Sequence, residues 1–353
     1  MSLRSTAMPA PELRVEVLRG GTVESFHRGS VAVMDADGAV RWQAGDIHRP
    51  IFPRSAVKLL QALPLVASGA ADAFGLSDEQ LALACASHGG EPAHVAAAAD
   101  VLAKCGLDTL TLECGAHWPG HDAAARALAR QQQEPTALHN NCSGKHAGFV
   151  CLGACLAQAG GHDPRGFLSG YVQAQHPVMR EVSAALARCT DSPLADAPVG
   201  TDGCSIPTYA LPLRALALGF ARAGTGVGLS PTDAHAAHRL RQAVARHPFM
   251  VAGSGRFDSR VMEHFGERVF CKVGAEGVYC AALPELGLGV ALKMDDGNTA
   301  RAAEVLMAAL LQAWVQRDEA DAQLLQTLAE PVLRNWNGTE VGRLRLAPGT
   351  RFN

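Results

Sequence analysis

Apolar and polar residues change their spacing three times along this chain. In the first fifty residues, positions 13–18, 31–34 and 40–43 are short β-prone apolar runs that predict strands. Asp35-Ala36-Asp37-Gly38 between the last two predicts a hairpin turn. The period then lengthens. Val57, Leu59, Leu60, Leu63 and Leu65 predict a buried helix over 55–67, with Pro64 kinking or ending it. Ser77-Asp78-Glu79-Gln80 reads as a capping box opening a helix through 86. Alanine-rich helices are predicted over 91–105, 122–132, 144–159, 175–188, 208–223 and 233–247. Strand patterns return at 269–273, 277–283 and 289–294, and a long helix is predicted over 299–316. This order predicts an α/β (α+β) fold of one domain over 1–353. A single sheet would come from both chain ends (1–54 and 250–353), with a mainly helical lobe (55–249) inserted between them.

Composition narrows the classes. The chain has 353 residues, 48% of them apolar and 18% charged, with a net charge of −3. That describes an ordinary globular protein with ample core. Both signs are scattered, so nothing points to nucleic acid. The uncharged stretches 59–71 and 305–315 fall short of the roughly 18 residues a membrane span needs, and residues 1–11 lack the apolar run of a signal peptide. The expectation is a cytoplasmic protein. Its ten cysteines are then expected to be free thiols or metal ligands rather than disulfides.

Two lysines stand out because each has a candidate serine. Arg54-Ser55-Ala56-Val57-Lys58 contains Ser-x-x-Lys, and on a helix residues three apart share a face. A neutral lysine within reach of a serine hydroxyl can take its proton, and burial or a neighbouring cation such as Arg54 favours the neutral form. The alternative is a helix-capping serine beside a surface lysine. Lys272 lies in an apolar strand and is followed by Val273-Gly274, where the glycine admits a close backbone or ligand. Its candidate serine is Ser87, in Ala86-Ser87-His88-Gly89-Gly90. The alternative is an edge-strand lysine facing water. Ser-x-x-Lys with a late Lys-x-Gly is similar to the penicillin-recognising serine hydrolases, although Lys-Val-Gly replaces Lys-Thr-Gly and Ser-Asp-Asn is lacking.

Two further segments concentrate reactive side chains. His139-Asn140-Asn141-Cys142-Ser143-Gly144-Lys145-His146 leads into a helix, and Thr201-Asp202-Gly203-Cys204 forms a tight turn. Cys142 and Cys204 meeting in space would bind zinc as thiolates, with Lys145 one turn away. The alternative is two buried thiols. His235, His238 and His264 are expected at the surface or in caps.

Together these segments resemble the L-asparaginase II family, of the rhizobial or class 3 type. The resemblance rests on 53–58, 86–91, 140–148, 201–204 and 272–277 and covers nearly the whole chain. It implies a fold similar to serine β-lactamases and glutaminases, and an amidohydrolase converting L-asparagine to L-aspartate and ammonia. It implies Ser55 with Lys58 and Ser87 with Lys272 as catalytic tandems. Zn2+ would be held by Cys142, Lys145 and Cys204, and Arg54, His146 and Asp202 would line the substrate pocket. It also implies a homodimer. Some members carry a further cysteine within 253–259, where this chain has none.

The expected mechanism has Ser55 attacking the side-chain amide with Lys58 as base, and Ser87–Lys272 positioning water or relaying the proton. Ser87 as nucleophile is the rival assignment. Three other classes stay open: a β-lactamase-like hydrolase, a Cys142 amidase with His146 as base, and a non-catalytic zinc or amino-acid sensor.

Overall fold

The computed structural model describes residues 13–352. The stretch 1–11, read above for a leader, lies outside them. Both chain ends build the main sheet, which is antiparallel and eight-stranded. Across it the strands run Val332–Arg334, Glu340–Leu346, Arg14–Arg19, Thr22–Asp35, Leu288–Met294, Val278–Leu283 and Phe270–Val273, with Val40–Ala44 also paired to Thr22–Asp35. The first half of the long strand pairs with Arg14–Arg19 and its second half with Leu288–Met294. The hairpin forms at Asp35, whose carboxylate accepts the Asp37 and Ala39 backbone N–H groups.

Sequence and structure part where tertiary contacts override local pattern. The strand expected over 31–34 begins at Thr22, because Thr22–Phe26 is exposed and carries no apolar period. The sequence pattern does not predict Val332–Arg334 or Glu340–Leu346, which are short or only partly buried and are defined by their pairing with each other and with Arg14–Arg19. Helices Phe257–Phe265 and Glu319–Ala329 were also not foreseen. Pro64 does not end its helix, which runs Lys58–Ala67 behind one 3-10 turn, Arg54–Val57. The helix expected from 208 begins at Leu213. Residues before it form the short strands Pro207–Tyr209 and Leu211–Pro212, which pair with Val199–Thr201 and Pro50–Ile51. These two ladders carry the turn at 202–205 alongside the chain entering Arg54.

Close backbone approaches seat the helices on the sheet. A Cβ on Gly289 would lie 2.0 Å from the Ala217 carbonyl oxygen, so only glycine lets helix Leu213–Thr225 settle there. Phe220 of that helix stacks on Phe270 at 6.1 Å between ring centroids. A Cβ on Gly274 would sit 2.6 Å from the Pro53 carbonyl oxygen. The glycine after Lys272 therefore lets the strand end press against the turn that carries Ser55. Among the described residues, no helix is long and apolar enough to cross a membrane.

Candidate active site

The chain's lysines are Lys58, Lys104, Lys145, Lys272 and Lys293, and the three from the motif segments are the buried ones, exposed by 0%, 2% and 0%. An ammonium taken out of water is costly unless it is paired or loses its proton, so three buried amines in one region mark a specialised site.

Lys58 opens its helix and is wholly buried. Its amine reaches the Ala86 carbonyl oxygen, the Ser87 hydroxyl at 2.8 Å and the Cys142 sulfur at 3.1 Å. The hydroxyl it touches is thus Ser87, not Ser55. Ser55 stands one turn earlier, half-buried, and among the described residues its side chain forms no hydrogen bond. Burial lowers the pKa of Lys58, and Lys145 adds to that, although Cys142 and Cys204 oppose it.

The Ser87 loop is stitched on both sides. Its backbone N–H donates to the Val251 carbonyl at 2.8 Å, and that of His88 to the Asn141 carbonyl at 3.2 Å. The Ser143 hydroxyl gives its proton to the Leu138 carbonyl, so it accepts from His88 Nε2 at 2.9 Å, while His88 Nδ1 takes the Gly90 N–H. Both ring nitrogens of His88 are thereby occupied. Glu91 accepts the backbone N–H and the hydroxyl of Ser254, tying this loop to the segment before helix Phe257–Phe265.

Lys272 lies on strand Phe270–Val273, and its amine donates to the Val273 carbonyl at 2.9 Å. The expected Ser87–Lys272 hydrogen bond is not formed among the described residues, and Lys58 is the lysine that meets that hydroxyl. Burial first, then the charge of Lys58, depresses the Lys272 pKa to about 7, against the pull of Asp258. Asp258 is itself buried and takes the Tyr279 hydroxyl proton.

Asn140 shapes the entry to helix Ser143–Ala159, accepting the Cys142 N–H and donating to the Cys114 and Gly115 carbonyls. Cys142 and Cys204 meet, and Lys145 donates to Cys204 at 3.0 Å. The hydrogen bond from Cys204 and the nearby amines of Lys145 and Lys58 push Cys142 well below the usual thiol range, while Cys204 is pushed up as the partner that keeps the proton. Burial opposes the charge on Lys145, but the two sulfurs outweigh it and hold its pKa above the ordinary value. Asp202, on the same turn as Cys204, binds Arg54 Nε at 2.6 Å. Arg54 and Ser205 adopt positive φ, +50° and +77°, as does Glu276 at +59° near Lys272. Non-glycine residues held there cost about 1–2 kcal/mol each, and such strain gathers at functional sites.

His146 lies one turn beyond Cys142 but does not bond it. Its Nδ1 meets the Tyr171 hydroxyl at 2.6 Å, and its Nε2 is buried without a partner among the described residues. Among the described residues, no group of three or more His, Cys, Asp and Glu side chains is arranged to hold a metal.

The L-asparaginase II family model matches residues 15–346. The chain belongs to the L-asparaginase II family. Membership supports an asparaginase-type amidohydrolase. No curated protein matches the chain. Among solved structures, a β-lactamase from Mycobacterium bovis is similar at 13% identity, with a TM-score of 0.37, covering 86% of this chain and 95% of its own. A protein called Mglu is similar at 14% identity, with a TM-score of 0.36, covering 84% of this chain and 67% of its own.

In this L-asparaginase II chain several residues that build the site had no sequence signal. Tyr171 and Tyr279 are isolated in sequence, and their partners His146 and Asp258 lie 25 and 21 positions away. His264 is exposed in the last turn of its helix, as expected, and from there it bonds the buried carboxylate of Asp321 at 2.7 Å. The nine cysteines other than Cys155 are buried, and all ten are free thiols.

Proposed function

We propose that this protein hydrolyses L-asparagine to L-aspartate and ammonia, as a rhizobial-type (class 3) asparaginase, through a serine activated by lysine. The observation that carries the reading is the 2.8 Å contact between the Lys58 amine and the Ser87 hydroxyl in a fully buried setting. Of the three partners of that amine, the Ala86 carbonyl only accepts, and a Cys142 thiolate only accepts. Ser87 is the partner able to give a proton. A neutral Lys58 amine has two N–H donors and one lone pair, which match these neighbours.

In the mechanism, Ser87 Oγ attacks the side-chain amide carbon as its proton passes to Lys58. The C–N bond then breaks, Lys58 returns the proton to the leaving nitrogen, and ammonia departs from an acyl-serine ester. Water hydrolyses that ester with Lys58 again as base. Ser87 thus takes the nucleophile's role that the Ser-x-x-Lys pattern suggested for Ser55. Ser55 contributes a free hydroxyl to hold substrate or water, and Lys272 supplies a second amine whose proton exchanges near neutral pH. The Arg54–Asp202 ion pair suits a zwitterion: the substrate's α-carboxylate takes Arg54 and its α-ammonium takes Asp202. A Cys142 nucleophile with His146 as base has no support, since His146 bonds Tyr171 instead.

The donor set of Cys142, Cys204 and Lys145 fits Zn2+, because two sulfurs and an amine in mutual contact match its preference for S and N ligands. Bound there, zinc would aid substrate binding by its positive charge. Protein purified without chelator is expected to hold about one zinc per chain by elemental analysis, and the double variant Cys142→Ser/Cys204→Ser none. Zinc-free wild-type protein would remove this part of the reading. On the family resemblance, the proposal extends to a cytoplasmic homodimer. An ammonia-release assay with asparagine and glutamine side by side tests the activity itself. Turnover of neither amide sinks it, and a labelled penicillin forming an adduct would favour the hydrolase class that shares Ser-x-x-Lys.

A further inference from the structure

We infer that Tyr171, far from the motif segments in sequence, is a positioning residue that fixes His146 as an Nε2–H donor for an acceptor oxygen of the substrate. The inference rests on the proposed amide hydrolysis, and it turns on where each proton in a short chain must lie. The Glu113 backbone N–H donates to the Tyr171 hydroxyl oxygen at 3.0 Å. That oxygen also meets His146 Nδ1 at 2.6 Å. Among the described residues the hydroxyl proton has no acceptor other than Nδ1, so it goes there while the oxygen takes the Glu113 N–H. Nδ1 then accepts, and a neutral imidazole must carry its hydrogen on Nε2.

Among the described residues that hydrogen has no acceptor. His146 and Tyr171 are both 0% exposed, and Nε2 is a buried nitrogen without a hydrogen-bond partner. A buried N–H left unmatched costs about 1–3 kcal/mol, and such groups in folded proteins call for an explanation. The helix carrying it is the one that brings Cys142 and Lys145 to the site. His146 follows Lys145 directly and stands one turn beyond Cys142 on that helix, so on the proposed reading the missing partner is an oxygen of the substrate, and the chemistry that fits an N–H donor is a carboxylate or amide carbonyl.

The tyrosine is held firmly for this task. The Glu113 carboxylate accepts the Gly170 N–H at 2.7 Å and the Val172 N–H at 3.5 Å, on either side of Tyr171. Glu113 thus clamps the 170–172 turn by its side chain while its backbone amide orients the hydroxyl. Phe149 closes another flank of the imidazole, 5.6 Å away between ring centroids. The arrangement places a donor before substrate arrives, and preorganised donors lower the cost of binding.

The test is nitrogen NMR of histidine-labelled protein, read before any variant is made. The folded wild type is expected to show His146 protonated on Nε2 and bare on Nδ1. Tyr171→Phe removes the proton given to Nδ1 and is expected to release the tautomer, giving a mixture. Its KM for asparagine should rise about tenfold while kcat changes less than threefold, the pattern of a lost ground-state contact. A merely structural tyrosine would lower thermal stability and leave the tautomer as it was. An Nδ1-protonated His146 in the wild type overturns the inference even if asparagine is hydrolysed. An unchanged tautomer and KM in Tyr171→Phe overturn it as well. Failure of the wild type to release ammonia from asparagine is a separate result, and it sinks the proposed activity rather than the tautomer assignment.

Discussion

Ser87→Ala should cut ammonia release from asparagine by about 10⁴-fold or more, whereas Ser55→Ala should retain measurable turnover. The first figure is the usual scale for deleting the nucleophile of a covalent mechanism. The difference between the two variants follows from one geometric fact: the buried Lys58 amine lies 2.8 Å from Ser87, and the Ser55 hydroxyl makes no hydrogen bond among the described residues. Lys58→Met should be as damaging as Ser87→Ala, and the double variant hardly worse than either alone, because residues acting as a unit are not additive. Folding is a minor worry for Ser87→Ala, since the loop is held by its backbone bonds to Val251 and Asn141 rather than by the hydroxyl. The measurement is steady-state ammonia release, with circular dichroism confirming each fold. Near-normal activity in Ser87→Ala, together with loss in Ser55→Ala, would reverse the assignment and restore the tandem read from the Ser-x-x-Lys spacing.

That reversal of partners shows what the chain reveals and what it hides. Spacing identifies Lys58 as a lysine near a serine, and the buried, helical setting of Lys58 follows the apolar pattern around it. Spacing does not reveal that the first turn, Arg54–Val57, is 3-10 in character with Arg54 at φ +50°. Nor does it reveal that the Ser87 loop is carried to Lys58 by long-range bonds to Val251 and Asn141. The meeting of Cys142 and Cys204 was legible as an opportunity, because each sits in a dense polar segment. The Arg54–Asp202 ion pair was not, since each had been read as waiting for substrate. On the fold side, the sheet's apolar strands announced themselves by their period. Thr22–Phe26 did not, because an exposed segment needs no apolar face, and Glu340–Leu346 did not, because its place is fixed by the ladders on either side of it.

The same logic explains why the amines sit together. Each buried lysine alone would destabilise the fold. Lys145 is offset by the two sulfurs, and Lys58 in part by Cys142. Lys272 donates one hydrogen bond, to the Val273 carbonyl, and the charges of Asp258 and Cys142 compensate it only in part. It is the least compensated, and so the most informative to remove.

Lys272→Met should make the protein more stable below neutral pH and less active at every pH. Methionine matches the length of the lysine stem and carries no charge to desolvate, so the gain at pH 6 is expected at about 1–4 kcal/mol, the range seen when buried ion pairs are replaced by well-packed apolar residues. The sign of the pH dependence follows from linkage. In the folded chain Lys272 gives up its proton near pH 7, and in the unfolded chain near its ordinary 10.5. Between those values the unfolded state binds more protons, so this residue makes wild-type stability rise with pH. Its penalty is fully present below about 7 and fades as pH approaches 10.5. The variant's advantage in thermal unfolding should therefore be large at pH 6 and nearly gone at pH 10. Activity should move the other way: losing an acid–base group costs about 10²–10⁴-fold, and wild-type kcat/KM should climb through pH 7 as Lys272 loses its proton. If Lys272→Met unfolds no later than wild type at pH 6, the amine is not buried as a strained charge, and its role as a neutral-pH proton carrier falls with it.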